Sequence, residues 1–128
     1  MDRRRPAAGR TLTTMADALL RIDPEAMLAN AGRASELLKA LASDKRLMIL
    51  CLLVEGERSV GELNARLALS QPALSQHLKL LRDQGLVDTR RDGQSILYSL
   101  VPGPAQRILL TLHEVYCGEG QRLCGDPA

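Results

Sequence analysis

Apolar positions along the chain follow one spacing up to about residue 84 and another just beyond it. Met27, Ala31, Ala34, Leu38 and Leu41 recur every three or four residues, the period of a helix with one apolar stripe. Asp23 stands before Pro24 and Glu25, a side-chain acceptor followed by the imino acid that suits a first helical turn. The pattern predicts a helix over about residues 24–42, and Gly32 leaves open whether it is one helix or two. Ser43 is placed to cap a second helix over about 44–55, carrying Leu47, Leu50, Cys51 and Val54, with Gly56 as its stop.

Ser59-Val60-Gly61-Glu62 has the spacing of a capping box, in which serine and glutamate satisfy each other's free backbone donors. It predicts a short helix ending near Leu67. Ser70 caps the next helix, over about 71–84, with Pro72 tolerated in its first turn and Leu74, Leu78 and Leu81 on one face. Two helices joined by so few residues have the spacing of a helix-turn-helix. After Gly85 the period drops to two. Val87, Thr89 and Arg91 alternate with polar neighbours, Ile96, Leu97 and Tyr98 favour strands, and Asp92-Gly93 lies between, a strong hairpin signal. With those two residues as the turn, Arg91 pairs with Gln94, Thr89 with Ile96 and Val87 with Tyr98. A last helix begins after Pro102-Gly103-Pro104, carries Ile108, Leu109, Leu112, Val115 and Tyr116, and ends at Cys117-Gly118.

The expected fold is mainly helical with a β-hairpin wing, a winged helix-turn-helix in the order α-α-α-α-β-β-α. One domain is expected over 15–117, between a flexible basic arm at 1–14 and a flexible tail at 118–128. Two apolar helical stripes that one small domain need not bury predict a homodimer.

Composition narrows the picture. Aromatic residues are 2% of the chain, with no Trp or Phe, so the core must be aliphatic, which favours helices over strands. A net charge of +2 is too small to indicate nucleic-acid binding by itself; any such face must come from local clustering. No apolar run is long enough for a membrane span, and no signal core follows the N-terminal arginines, so a cytoplasmic location without membrane contact is expected. Three cysteines, an odd number, argue against a disulfide framework. No Ser-His-Asp, P-loop or His-Glu-x-x-His pattern points to an enzyme.

Clustering does occur. Opposite the leucines of the 71–84 helix stand Gln71, Ser75, Gln76, Lys79 and Arg82, side chains able to reach base edges and phosphates in a major groove. Arg90, Arg91 and Gln94 crowd the hairpin tip, within reach of phosphates or the neighbouring minor groove. The bland alternative for such a surface is a solvated amphipathic face, or a domain that docks proteins. Agreement of caps, spacing and basic hairpin favours double-stranded DNA. His77 lies nearer the leucines and reads as a hydrogen-bonded structural histidine. Cys51, between aliphatic neighbours, reads by itself as a small core residue; Cys117 sits at a helix C-terminus, where the dipole disfavours a thiolate.

Leu41-Ala42-Ser43-Asp44-Lys45-Arg46-Leu47, the run Ser70 to Leu81, Gly85-Leu86-Val87 and Arg90-Arg91-Asp92-Gly93-Gln94 resemble the ArsR/SmtB family of bacterial repressors over about residues 24–117. The resemblance implies dimerisation through the first and last helices, a palindromic operator, and release by an inducer. Metal sensors of that family carry a Cys-x-Cys where this chain has Leu50-Cys51-Leu52, or an Asp-x-His before the place of His113-Glu114. Neither set is complete, so no metal site and no cofactor are expected. Cys51 with Cys117 resembles instead the family's dithiol branch, implying redox-active cysteines and a persulfide or polysulfide inducer. A response to zinc, cadmium or copper through the thiolates of Cys51 and Cys117, with His113 or Cys124 as optional further ligands, is the alternative.

Overall fold

The computed structural model describes residues 15–118. Among them run α1 (Met15–Leu19), α2 (Pro24–Leu41), α3 (Asp44–Val54), β1 (Arg58–Ser59), α4 (Val60–Arg66), α5 (Gln71–Asp83), β2 (Val87–Asp92), β3 (Ser95–Leu100) and α6 (Pro104–Cys117). The arm expected at 1–14 and the tail beyond Gly118, with Cys124, lie outside the described residues. The described residues divide into two compact units between Ala34 and Ser35.

In the first unit Asp23 caps α2, its Oδ1 accepting from the Glu25 amide at 3.0 Å. Leu20, Met27 and Leu28 are exposed. Gly32 does not divide the helix.

In the second unit the core is wholly aliphatic. It gathers Ala40 and Leu41 from α2, Ile49, Leu50, Leu52 and Leu53 from α3, Leu63 and Leu67 around α4, Leu74, Leu78 and Leu81 from α5, Leu86 and Val87, and Ala105 and Leu109 from α6. The expected caps form. Ser43 accepts from the Arg46 amide at 3.2 Å, Ser70 from the Ala73 amide at 3.2 Å, and Ser59 and Glu62 complete the capping box. Helix α5 stops at Gly85, whose φ of +75° suits glycine. The Leu86 amide donates back to Leu81 O and that of Gly85 to Arg82 O, both at 2.9 Å, the paired bonds of a Schellman end.

Three expectations are corrected. First, Cys51 and Val54 are exposed rather than part of the core. At about 100° per residue, Cys51 lies opposite the centre of the buried set Ile49, Leu50, Leu52 and Leu53. Second, the hairpin pairs Asp92 with Ser95, Arg91 with Ile96, Thr89 with Tyr98 and Val87 with Leu100. The turn is Gly93-Gln94, because Gly93 at φ +64° takes the first central position, where a primed turn needs positive φ. The shift is two residues, so each side chain keeps its face. Third, the wing is a three-stranded sheet of order β1-β3-β2; Arg58 and Ser59 pair with Tyr98 and Leu97.

Candidate nucleic-acid interface and thiol groove

The helix-turn-helix is built from backbone outward. Buried Leu63 and Leu67 anchor α4 to the core, and Asn64 Nδ2 donates to Leu69 O at 3.0 Å, fixing the turn that leads to Ser70. With Leu74, Leu78 and Leu81 inward, α5 presents Gln71, Ser75, Gln76, Lys79 and Arg82 to solvent. Among the described residues no hydrogen bond engages the side chains of Gln71, Ser75, Gln76 or Arg82. Lys79 pairs with Asp83 at 2.9 Å, both well exposed, a contact weak enough to exchange for another anion. The outward face of α5 is therefore polar, basic at its far end and free to bond elsewhere.

His77 is half-buried and faces α3. The Arg46 guanidinium donates Nε to Ala40 O at 2.7 Å and Nη2 to Lys39 O at 3.2 Å. Its Nη1 lies 3.3 Å from His77 Nδ1. One side chain thus ties the end of α2 and the start of α3 to the middle of α5.

The wing separates the two arginines of β2. Successive strand residues face opposite ways, so Arg90 and Arg91 project from opposite sides of β2. Arg90 donates Nε to Glu57 Oε2 at 2.7 Å and Nη2 to Oε1 at 2.8 Å. The guanidinium holds the Glu57 carboxyl below the usual carboxylate range, chiefly through these hydrogen bonds. Arg91 and Gln94 are exposed, and among the described residues neither side chain has a hydrogen-bond or ion-pair partner.

The thiols belong to α3 and α6, which pack together. Between them lies a groove of about 510 Å³ lined by Cys51, Val54, Glu55, Gln106, Leu109, Leu110 and His113. Cys117 follows His113 by one turn and ends α6. Gly118 closes that end tightly: a Cβ there would fall 2.7 Å from Glu114 O. Both cysteines are free and exposed as residues. The groove wall nevertheless desolvates the Cys51 thiol and pushes its pKa up; the charge of nearby Cys117 adds to the rise. Among the described residues no group of three His, Cys, Asp or Glu side chains is arranged to hold a metal. No described helix is long and apolar enough to cross a membrane.

Residues 43–89 match the profile of the bacterial regulatory protein, arsR family. Over 92 residues the chain is 49% identical to the transcriptional activator HlyU of Vibrio cholerae, covering 72% of this chain and 85% of that one. Over 98 residues it is 45% identical to the biofilm growth-associated repressor of Agrobacterium fabrum, covering 77% and 84%. The chain belongs to the ArsR family. The crystal structure of the transcriptional repressor BigR from Xylella fastidiosa superposes with a TM-score of 0.70 at 42% identity, covering 75% of this chain and 98% of that one. This ArsR-family chain is accordingly a transcriptional regulator with a DNA-binding winged helix-turn-helix.

Two contacts of this ArsR-family fold escape sequence reasoning: Arg90 with Glu57, and Arg46 with His77. The first spans 33 residues and the second 31, so neither follows from local spacing. The Arg90 pairing had a partial signal, since Glu57 is an acid next to a strand otherwise unrecognised.

Proposed function

We propose that the chain is a repressor that binds a palindromic double-stranded operator as a homodimer and leaves it when Cys51 and Cys117 become joined through sulfur. The reading residues are Gln71, Ser75, Gln76, Lys79 and Arg82 on α5, with Arg91 and Gln94 on the wing. Dimerisation is supported by apolar side chains that the single chain leaves uncovered, Met27, Leu28 and Leu38 on α2 and Leu110 and Tyr116 on α6. A two-fold dimer sets its reading helices about 34 Å apart, one turn of DNA.

The observation that carries the sensing is the placement of the two thiols on packed helices, with Cys51 lining the groove that His113, one turn before Cys117, also lines; the charge of Cys117 adds to the raised pKa of Cys51. The inducer is a persulfide or polysulfide. A cysteine thiolate attacks the outer sulfur of a persulfide R–S–SH, forming a cysteine persulfide and releasing the thiol R–SH. Two such cysteine persulfides condense to a trisulfide between Cys51 and Cys117 and release hydrogen sulfide, with no external oxidant. Each added sulfur lengthens the bridge by up to about 2 Å, so the link spans gaps that a disulfide does not. The bridge ties α6 to α3 and, through Arg46 at the start of α3, biases the orientation of α5. A tenfold loss of operator affinity requires about 1.4 kcal/mol of coupling.

The test is intact mass spectrometry and operator binding after persulfide treatment. The expected product has lost both thiols, gained whole sulfur atoms and released DNA. Cys51→Ser and Cys117→Ser each bind DNA but ignore persulfide, whereas Cys124→Ser still responds. Release of DNA by stoichiometric zinc, abolished in Cys51→Ser, would instead indicate a metal sensor. A monomer by light scattering would end the dimeric reading.

A further inference from the structure

Arginine binds carboxylate and phosphate through the same planar fork of donors. In the wing that fork is already filled. Arg90 on β2 and Glu57, immediately before β1, belong to the two edges of the sheet, with β3 between them. Their two parallel bonds, 2.7 and 2.8 Å, therefore cross the middle strand. Arg90 is paired with Leu97 in the ladder, and Leu97 with Ser59 on the other side. Residues directly opposite in a ladder share a face, so the clasp lies on the face away from Val87 and the core. Arg91 projects from the other side of β2 and has no partner among the described residues.

We infer that Glu57 is a specificity-determining residue, which occupies the guanidinium of Arg90 and withholds it from DNA phosphates; with Arg58 bonded to Leu52 O and paired with Glu55, Arg91 is left as the wing's available cation. The inference rests on the reading of the wing as a DNA contact. Phosphate contacts carry almost all sequence-independent affinity, whereas base edges carry discrimination. An arginine held back in each wing therefore lowers binding to random DNA more than it weakens recognition by α5. The clasp is on the surface and exposed, so one substitution suffices to open it.

The experiment measures full-length protein on a random duplex and on its operator, by fluorescence anisotropy across a salt series, with unfolding midpoints recorded for each variant. Glu57→Gln frees Arg90. It raises affinity for the random duplex and steepens the dependence of log K on log salt by about 0.9 for each wing bound. That slope amounts to about 3.5-fold more loss per wing between 50 and 200 mM salt. Arg90→Gln leaves the wild-type slope, and Glu57→Gln/Arg90→Gln returns to it. A gain that persists in the double variant would show the carboxylate acting by charge alone and overturn the proposal, as would a shallower slope in Arg90→Gln or an unchanged one in Glu57→Gln. Arg91→Ala separates the two readings. If it leaves the slope unchanged, the wing does not touch phosphate and the underlying reading fails. If it lowers the slope while Glu57→Gln does nothing, the wing reading stands and this proposal alone falls.

Discussion

Helices α3 and α5 pack against each other on one core, yet their sequences display their faces very differently. In α5 the buried leucines Leu74, Leu78 and Leu81 stand among glutamines, serine, lysine and arginine, with Leu80 the one leucine on the exposed side, and the inward and outward faces follow from that contrast. In α3 every residue from Leu47 to Val54 is apolar. Periodicity then has nothing to choose between, and the stripe holding Cys51 and Val54 turns out to face away from the core. What makes a face legible is contrast, not apolar content. The same difference separates the two proposed activities: the candidate reading face is evident from one helix, whereas the thiol groove exists only where α3 meets α6.

The largest effect sharpening this comparison lies in the core. Leu78, 1% exposed on α5, contrasts with Val54, 58% exposed on α3. Leu78→Ala should cost about 2–5 kcal/mol of stability in urea unfolding, and Val54→Ala no more than about 0.5 kcal/mol. Comparable losses would return Val54 to the core.

On the polar side of α5 the effect should move from folding to binding. Gln76→Ala and Ser75→Ala should each lose about 1–3 kcal/mol of discrimination between operator and single-base variants, with the unfolding midpoint unchanged. Unaltered discrimination in Gln76→Ala would mean that the outward face is only solvated. At the start of the two helices the comparison should vanish. Ser43 and Ser70 accept equally well from the amide three residues on, at 3.2 Å in both cases. Ser43→Ala and Ser70→Ala should therefore each cost about 1 kcal/mol, and a clear difference between them would show that one cap is held by packing instead.

Local chemistry made most of the fold readable. Serine caps, the capping box, Gly85 and the Asp-Gly step marked helix ends and hairpin because each acts within a few residues. The register erred because Asp92-Gly93 and Gly93-Gln94 both place glycine in a two-residue turn, and choosing between them needs the pairing of Val87 with Leu100. Strand β1 is two residues long and has no periodicity to detect. The candidate reading surface was legible from α5, but the occupancy of Arg90 was not, since Glu57 is distant in sequence. For the thiols, the residues themselves favoured a core role for Cys51; only the family resemblance pointed to a pair.

The smallest expected effect concerns that pair. Burial is the larger cause of the raised pKa of Cys51, and the Cys117 charge the smaller. Alkylation proceeds through the thiolate, so Cys51 in the folded chain should react more slowly at pH 7–8 than in the urea-unfolded chain. Replacing Cys117 by Ser removes only the like-charge contribution. The midpoint of the Cys51 rate–pH profile should then move to lower pH while staying above that of the unfolded chain, where burial no longer acts. A thiol whose folded pKa is raised contributes stability fully present below its unfolded pKa and lost as pH rises through the folded one. Alkaline unfolding should accordingly be milder in Cys51→Ser than in the wild type. These measurements need no inducer and no DNA. A Cys51 profile indifferent to Cys117 would mean that the two sulfurs do not sense each other, and a bridge between them would then require α6 to move before any sulfur could join them.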